Sequence, residues 1–168
     1  MKKTLSITPE EIDQKINAFG SYLNQFYKNQ PLIIVGILKG SICFIADLIR
    51  KLDIPFELEF IQCQSYGDKG MTPGKLTISY LDFLAVKDKP LLLIDDILDT
   101  GQTLTQVIQE LKKLEPASIK SCVLLKKKNK SPLSVDHVLF EIEDRFVIGY
   151  GLDYKEKYRG LKGLYQVE

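Results

Sequence analysis

The sequence predicts an α/β fold in which a mostly parallel central sheet is flanked by helices. Continuous aliphatic runs at 31–38 and 91–94 are typical of strands that are buried on both faces of a sheet. Each run is followed by a short turn and then by an amphipathic helical pattern. Strands that alternate with helices in this way favour parallel pairing, because a parallel neighbour needs a crossover connection.

Length and composition are those of one globular domain. The chain has 168 residues, of which 45% are hydrophobic and 27% are charged, which is enough to build a core. The formal net charge of +1 provides no overall field that would attract nucleic acid or an anionic membrane. We therefore expect one domain and neither of those partners, with a core over about 30–140 and the two chain ends forming a small hood.

Cysteine usage and the N-terminal sequence predict a cytoplasmic protein. Cys43, Cys63 and Cys122 are odd in number and form no Cys-x-x-Cys pair, which argues against a disulfide framework or a structural zinc site. Residues 1–7 contain no apolar signal segment, and no stretch approaches the length of a membrane span.

The first half of the chain predicts two helices and three strands. Thr8 provides an N-cap, Pro9 the first helical position and Glu11 a capping box for a helix over roughly 9–28. A strand, a tight turn, a helix and a second strand then follow over 31–38, 39–41, 42–52 and 56–61. The glycines and the proline of 64–74 predict a long mobile loop without regular structure, followed by a short strand near 75–80.

The second half continues the same alternation. After the strand at 91–94, apolar residues at helical spacing from Leu104 to Leu114 predict a helix that ends before Pro116. Further strands are predicted over 118–125, 138–142 and 146–150, and the tail from Asp153 onward is aromatic and basic.

The segment that joins the strand at 91–94 to the next helix has the composition of a ligand site. Asp95, Asp96 and Asp99 would emerge at the carboxyl edge of the sheet, where open α/β folds bind ligands. The turn 99–103 would present backbone N–H groups at a helix N-terminus, which favours a phosphate. Because Asp95 and Asp96 favour a hard cation or ribose hydroxyls, the combination indicates a sugar phosphate bound with magnesium.

The same segment also fits more ordinary interpretations. An isolated Asp-Asp pair more often merely ends a strand, and Asp99 or Thr100 would serve equally as a helix cap. The segment lacks the glycine pattern of nucleoside triphosphate and dinucleotide loops, and a response-regulator receiver would need its paired aspartates at the first strand.

The stretch Asp95-Asp96-Ile97-Leu98-Asp99-Thr100-Gly101-Gln102-Thr103-Leu104 resembles the 5-phosphoribosyl-1-diphosphate motif of the type I phosphoribosyltransferases. The hypoxanthine-guanine branch is the most similar, with further agreement at 38–41, 65–66, 124–127 and 146–154, so that the resemblance covers nearly the whole chain. It implies the type I phosphoribosyltransferase fold, with a hood built from the N-terminal segment and about 140–168. It also implies purine salvage by transfer of a phosphoribosyl group to N9 of hypoxanthine or guanine.

The resemblance also assigns residues to the donor substrate. It places the 5′-phosphate on Asp99, Thr100, Gly101, Gln102 and Thr103, the ribose and a magnesium ion on Asp95 and Asp96, and the diphosphate on Leu38, Lys39, Gly40 and Arg159. A cis peptide between Leu38 and Lys39 is implied as well. The family usually has glutamate at position 95, so Asp95 is about 1.5 Å short in reach. Taken alone, Lys39 and Arg159 would equally be solvated surface residues.

For the acceptor, the resemblance assigns Lys127, Phe146, Val147 and Asp153 to the purine. Lys127 would donate to O6, which favours 6-oxopurines over adenine because adenine presents an amino donor there. Xanthine also has O6 and stays an alternative. Outside the family context, Lys127 belongs to a solvated lysine run and Phe146 to a strand core.

Asp99 is implied as the acid-base residue at N7, Ser65 and Tyr66 as a lid pair, and Asp153 as a ligand of a second magnesium ion. Two magnesium ions during turnover and a homodimer or homotetramer complete the expectation. Some relatives of this fold bind phosphoribosyl diphosphate as a signal and regulate nucleic-acid targets, but this near-neutral chain shows no convincing basic face for that role.

Overall fold

The computed structural model describes residues 2–66, 75–81 and 84–167, apart from the side chains of 65, 66, 75 and 76. In chain order the elements are β1 (Lys3–Ile7), α1 (Pro9–Phe26), β2 (Leu32–Leu38), α2 (Ile42–Ile49), β3 (Phe56–Tyr66), β4 (Lys75–Ser79), β5 (Pro90–Leu98), α3 (Gln102–Lys112), β6 (Ser118–Lys127), β7 (His137–Ile142), β8 (Val147–Ile148) and β9 (Leu164–Val167). No helix among the described residues is both long and apolar enough to cross a membrane.

The central sheet has six strands in the order β4-β3-β2-β5-β6-β7. All neighbouring pairs are parallel except β3 with β4, which confirms the predicted mostly parallel sheet. The connections run in opposite directions from the β2–β5 pair, since β3 follows on one side and β6 on the other. Ligands of open α/β sheets bind at such a switch point, beside the carboxyl ends of the strands.

Helices cover both faces of this sheet. Along β2, Ile34 belongs to one apolar cluster, whereas Ile33 and Val35 belong to the other, which explains why the strand is aliphatic at every position. Helices α1 and α2 pack on the first cluster, and α3 packs on the second. The predicted capping box of α1 is present, with Thr8 N donating to Glu11 Oε2 (2.8 Å) and Glu11 N donating to Thr8 Oγ1 (3.2 Å).

The two chain ends form a separate antiparallel sheet in the order β1-β9-β8. Neither β1 nor β9 was predicted, because both are short and each pairs with a segment at the other end of the chain. The prediction of a strand over 146–150 was wrong in extent: β8 ends at Ile148, since the positive φ angles of Gly149 (99°) and Tyr150 (47°) turn the chain.

The expectation of an irregular segment over 64–74 was wrong at its start. Residues 64–66 belong to β3 and pair with β4 in antiparallel register, from Gln64 opposite Thr77 to Tyr66 opposite Lys75. The partner strand supplies the backbone hydrogen bonds that the sequence pattern did not reveal. The remainder of the predicted loop, 67–74, lies outside the described residues.

Candidate functional site

A cleft of about 410 Å³ opens at the carboxyl edge of the central sheet, at the ends of β2 and β5. Its described wall comes from four parts of the chain: the end of β2 with the turn that follows, one residue of β3, the segment from β5 into α3, and the tail. The residues are Ile37, Leu38, Lys39, Gly40, Cys63, Asp95, Asp96, Ile97, Leu98, Asp99, Thr100, Gly101, Gln102, Thr103, Leu104, Asp153 and Arg159. The cleft therefore brings together every residue that the sequence assigned to the donor substrate.

Asp95 and Asp96 lie near the C-terminal end of β5, within the strand rather than after it. Asp95 is only 8% exposed, and its Oδ1 accepts from Asp96 N (2.9 Å), while Asp96 Oδ1 accepts from Ile97 N (2.8 Å). Burial raises the pKa of Asp95 well above its usual range, and the charge of Asp96 adds to that rise. Burial also raises the pKa of Asp96, against the opposing effect of its hydrogen bonds and of Arg159.

Two buried carboxylates side by side form a donor set that a hard cation would stabilise. No group of three or more His, Cys, Asp or Glu side chains is arranged to hold a metal within the described part of the chain. Magnesium does not require such a group, because it commonly takes one or two protein carboxylates together with waters and substrate oxygens. Asp95 and Asp96 fit that role, since each keeps one carboxylate oxygen that does not accept the backbone bond just described.

The turn between β5 and α3 has the geometry of an anion site. Helix α3 begins at Gln102, and its N-cap residue, Gly101, has a φ of +84°. The left-handed conformation favours glycine, and a Cβ at this position would also displace the Ser131 hydroxyl. The first N–H groups of a helix have no intrahelical acceptors, and those of Gln102 and Thr103 begin α3 beside the cleft.

The turn after β2 packs tightly against β5 and the tail. The peptide between Leu38 and Lys39 is cis, as the resemblance implied. A Cβ on Gly40 would collide with the Asp96 carboxylate, and a Cβ on Gly151 would collide with the Gly40 carbonyl oxygen. This contact places the Lys39–Gly40 backbone directly beside the carboxylate pair.

The two predicted diphosphate cations share one carboxylate in the structure. Glu156 Oε2 lies 3.0 Å from Lys39 Nζ, and Glu156 Oε1 lies 3.2 Å from Arg159 Nη2. The hydrogen bond and the charge of Lys39 lower the pKa of Glu156. Arg159 also pairs with Asp153 Oδ1 (2.8 Å) and donates to the Gly151 carbonyl oxygen (2.8 Å). With a side chain only 25% exposed, Arg159 is not a solvated surface residue.

A second cavity of about 240 Å³ adjoins the cleft. Its described wall contains all four residues assigned to the purine, and it shares four residues with the larger cleft. The wall consists of Asp96, Ile97, Asp99, Lys127, Arg145, Phe146, Val147, Leu152 and Asp153, of which Asp96, Ile97, Asp99 and Asp153 are shared. Molecules bound in the two cavities would therefore meet beside Asp99.

Phe146 and Val147 are neighbours in the wall of the smaller cavity, but Phe146 is exposed and Val147 is buried. Phe146 is 50% exposed and lies edge-on to Tyr154, with ring centroids 5.7 Å apart, so the alternative of a core aromatic does not apply. Val147 is buried in β8 and anchors this wall. An aromatic face beside a polar rim suits a planar heterocycle.

Lys127 is held by two carboxylates at the rim of the second cavity. Its side chain is 12% exposed, and its Nζ lies 3.0 Å from Asp99 Oδ2 and 3.1 Å from Asp144 Oδ1. Burial lowers the pKa of Lys127, but the hydrogen bonds and charges of Asp99 and Asp144 together outweigh it, so the net pKa is raised. The next residue, Lys128, instead pairs with Glu143 on the surface. The solvated-run interpretation thus holds for Lys128 and fails for Lys127.

Sequence reasoning missed Asp144 and Glu156. Both lie among charged residues, where an acidic residue is typical of a solvated surface, and the lysines that they pair with are 17 and 117 positions away. The lid pair, Ser65 and Tyr66, ends β3 in the structure, but their side chains lie outside the description.

Comparison with known proteins identifies similar proteins over nearly the whole chain. A family model described as the phosphoribosyl transferase domain matches residues 3–155. The hypoxanthine-guanine phosphoribosyltransferase of Bacillus subtilis is 37% identical over 157 residues, which is 92% of this chain and 87% of that protein. The hypoxanthine phosphoribosyltransferase of Haemophilus influenzae is 37% identical over 160 residues, covering 92% and 89% respectively.

Solved structures show the same similarity. A crystal structure of a hypoxanthine phosphoribosyltransferase from Staphylococcus aureus superposes with a TM-score of 0.92 at 34% sequence identity. The match covers 98% of this chain and 91% of the other.

Proposed function

The chain belongs to the phosphoribosyltransferase family, and we propose that it salvages purines by transferring the 5-phosphoribosyl group of 5-phosphoribosyl-1-diphosphate to N9 of hypoxanthine and guanine. The products are IMP or GMP and diphosphate. The observation that best supports this function is the pair of adjoining cavities, one polar and lined by the phosphate loop, the other with an aromatic wall, which share Asp99.

We assign the larger cleft to the donor. The first turn of α3 and the loop from Asp99 to Thr103 bind the 5′-phosphate, which is consistent with N–H groups that have no intrahelical acceptors and with the left-handed glycine at 101. Asp95 and Asp96 bind the ribose hydroxyls, with Asp95 limited by its shorter side chain. Lys39, Gly40 and Arg159 bind the diphosphate, for which Glu156 must first give up its two cations.

Magnesium fits this cleft as the cofactor, with two ions during turnover. Asp95 and Asp96 would hold one ion at the ribose, and Asp153 would hold a second through water and the diphosphate. When bound, magnesium neutralises charge on the departing diphosphate. Asp153 lines both cavities. Its carboxylate pairs with Arg159, which we assign to the diphosphate.

We assign the smaller cavity to the base. Phe146 stacks on the purine ring, the main chain of Val147 contacts its edge, and Lys127 donates to O6. A 6-amino group would offer Lys127 a donor instead of an acceptor, so adenine would leave the N–H of Lys127 that faces the base without an acceptor.

The chemistry follows from the position of Asp99 between the cavities. N9 of the base attacks C1′ as the bond from C1′ to the diphosphate oxygen breaks, and the diphosphate leaves with the bonding electrons. Asp99 accepts the proton released from N7 of the base. Positive charge develops at C1′ during this displacement, so water must be excluded. We assign that exclusion to a lid that contains Ser65 and Tyr66.

The assignment is tested by supplying phosphoribosyl diphosphate and magnesium with hypoxanthine, guanine, xanthine or adenine separately and measuring nucleotide formation. We expect IMP and GMP, and at least about 100-fold lower kcat/KM with adenine. Faster turnover of xanthine would favour a xanthine-preferring transferase. Nucleotide formation from none of the four bases would contradict the enzyme, and a salt-sensitive shift of DNA or RNA in a gel would then favour a regulator.

We further propose that the protein works in the cytoplasm as a homodimer or homotetramer. Light scattering coupled to size-exclusion chromatography tests the assembly, since a mass of 19.2 kDa would indicate a monomer.

A further inference from the structure

Four charged side chains of alternating sign lie at the rim of the smaller cavity. Lys127 Nζ contacts Asp99 Oδ2 (3.0 Å) and Asp144 Oδ1 (3.1 Å), and Lys130 Nζ contacts Asp144 Oδ2 (2.9 Å). Lys130 Nζ also lies 3.9 Å from Asp99 Oδ1. The two lysines therefore share the same two carboxylates.

Asp144 does not touch the space assigned to the base. The wall of the smaller cavity, as the described residues form it, includes Asp99 and Lys127 and the two residues after Asp144, but not Asp144 itself. Both of its oxygens instead bind ammonium groups. Of the residues in that wall, Lys127 is the one whose side chain Asp144 contacts, so Lys127 is the direct side-chain link from Asp144 to the base.

The Lys127 ammonium has a limited number of N–H donors, and Asp144 accepts from one of them. An ammonium has three N–H groups, and those of Lys127 must serve Asp99, Asp144 and the base. Without Asp144, the nearest counter-charge of the nearly buried ammonium would be Asp99, which has to be available at N7. A strong Lys127–Asp99 pair would then compete with binding of the base at both O6 and N7.

We infer that Asp144 is a positioning residue, which holds the Lys127 ammonium so that it can donate to O6 of the base while Asp99 is released for N7. This inference rests on the proposed function. It extends the base site beyond the residues in contact with the purine.

The test is a steady-state comparison of two neighbouring acidic residues. Asp144→Asn keeps the size of the side chain and removes its charge, and Glu143→Gln does the same to an exposed residue that pairs with Lys128. We expect Asp144→Asn to raise KM for hypoxanthine by roughly 10-fold, the loss expected for one charge-assisted hydrogen bond, with KM for phosphoribosyl diphosphate unchanged. Glu143→Gln should leave both KM values unchanged.

A double-mutant cycle separates positioning from a general structural effect. In a Lys127→Gln background, Asp144→Asn should have less than about a twofold further effect on KM for hypoxanthine, because the two residues act together. Asp144→Glu, which keeps the charge, should restore most of the lost affinity. Unchanged KM for hypoxanthine in Asp144→Asn, an equal rise in both KM values, or full additivity with Lys127→Gln would each overturn the inference.

Two controls distinguish a loss of folding from a failure of the proposed function. The Asp144 side chain is 48% exposed, so Asp144→Asn and a second variant, Asp144→Ala, should unfold at the wild-type temperature. Loss of cooperative unfolding in both variants would overturn the inference, since Asp144 would then stabilise the fold. If the wild type and Glu143→Gln form IMP while Asp144→Asn behaves identically, the inference alone fails. If the wild type forms no nucleotide from any base, the proposed function fails.

Discussion

Asp99 is assigned a proton-transfer role while one of its oxygens lies 3.0 Å from the ammonium of Lys127. Its other oxygen, Oδ1, is buried and has no hydrogen-bond partner among the described residues. A buried carboxylate oxygen that accepts no hydrogen bond beside a cavity is costly unless a ligand supplies the donor. A purine N–H at position 7 is such a donor.

Asp99→Asn tests this role. The amide cannot accept the N7 proton, so turnover should fall by roughly 10- to 10⁴-fold while KM for both substrates changes little. Rapid-quench or steady-state measurement of IMP formation gives both constants. Asp88→Asn, an exposed substitution before β5 at the opposite edge of the sheet, is the control. Wild-type turnover in Asp99→Asn would remove Asp99 from the chemistry.

Lys127→Ala tests the selection of the base. Removal of the ammonium takes away the donor to O6, so the preference for hypoxanthine over adenine should fall by about 10-fold or more. The ratio of the two kcat/KM values measures the preference. Lys128→Ala, which removes a surface partner of Glu143, should preserve it. A base preference that is the same in both variants would exclude Lys127 from selection.

Apart from Arg159, the residues that were assigned from the sequence belong to contiguous motifs. Asp95, Asp96 and the 99–103 loop are adjacent in sequence, and their chemistry could be inferred from order and spacing. Asp144 and Glu156 owe their roles to pairing with distant lysines, which depends on the final packing of β6, β7 and the tail. The order and spacing of neighbouring residues in the sequence do not indicate such ion pairs.

At the scale of elements, the β5–α3 connection determines where the phosphate binds. Gly101 has a φ of +84°, and a Cβ there would displace the Ser131 hydroxyl. Gly101→Ala should therefore reduce the free energy of unfolding by about 1–2 kcal/mol, the usual cost of a left-handed conformation for an L-residue, and should raise KM for phosphoribosyl diphosphate. Denaturant unfolding measures the first effect.

Gly160→Ala is the matched control for this glycine, since a Cβ there meets nothing within 4 Å. It should change the free energy of unfolding by less than about 0.5 kcal/mol. Equal stability of the two variants would show that the turn tolerates a side chain and would contradict the strained geometry.

The end of β5 gives a second prediction at this scale. If Asp95 and Asp96 hold a catalytic rather than a structural cation, chelation with EDTA should abolish IMP formation and leave the unfolding temperature of the substrate-free protein unchanged. Added magnesium should restore turnover. Full turnover in excess EDTA would contradict a magnesium-dependent reaction.

Elements with strong periodicity were predicted from the sequence, and those stabilised by distant partners were not. The helices and the aliphatic strands β2 and β5 follow from their own residues. By contrast, β1 and β9 form through pairing of Lys3 with Val167 at opposite ends of the chain. The extension of β3 to Tyr66 likewise depends on β4. These strands form because a partner strand distant in sequence pairs with them in the folded chain.

At the scale of the whole molecule, residues of two different sheets line the two cavities. The carboxyl edge of the central sheet forms the polar cleft, and the segment around β8, which belongs to the sheet of the chain ends, supplies Phe146 and Val147 to the smaller cavity. The candidate site therefore draws on both sheets.

The most direct test of the central claim, that sugar phosphate and base occupy these two cavities on either side of Asp99, is a crystal structure with bound IMP. We expect the phosphate on the 99–103 loop, the purine against Phe146, and O6 within hydrogen-bond distance of Lys127 Nζ. A purine in the larger cleft, or a phosphate away from the first turn of α3, would contradict the account.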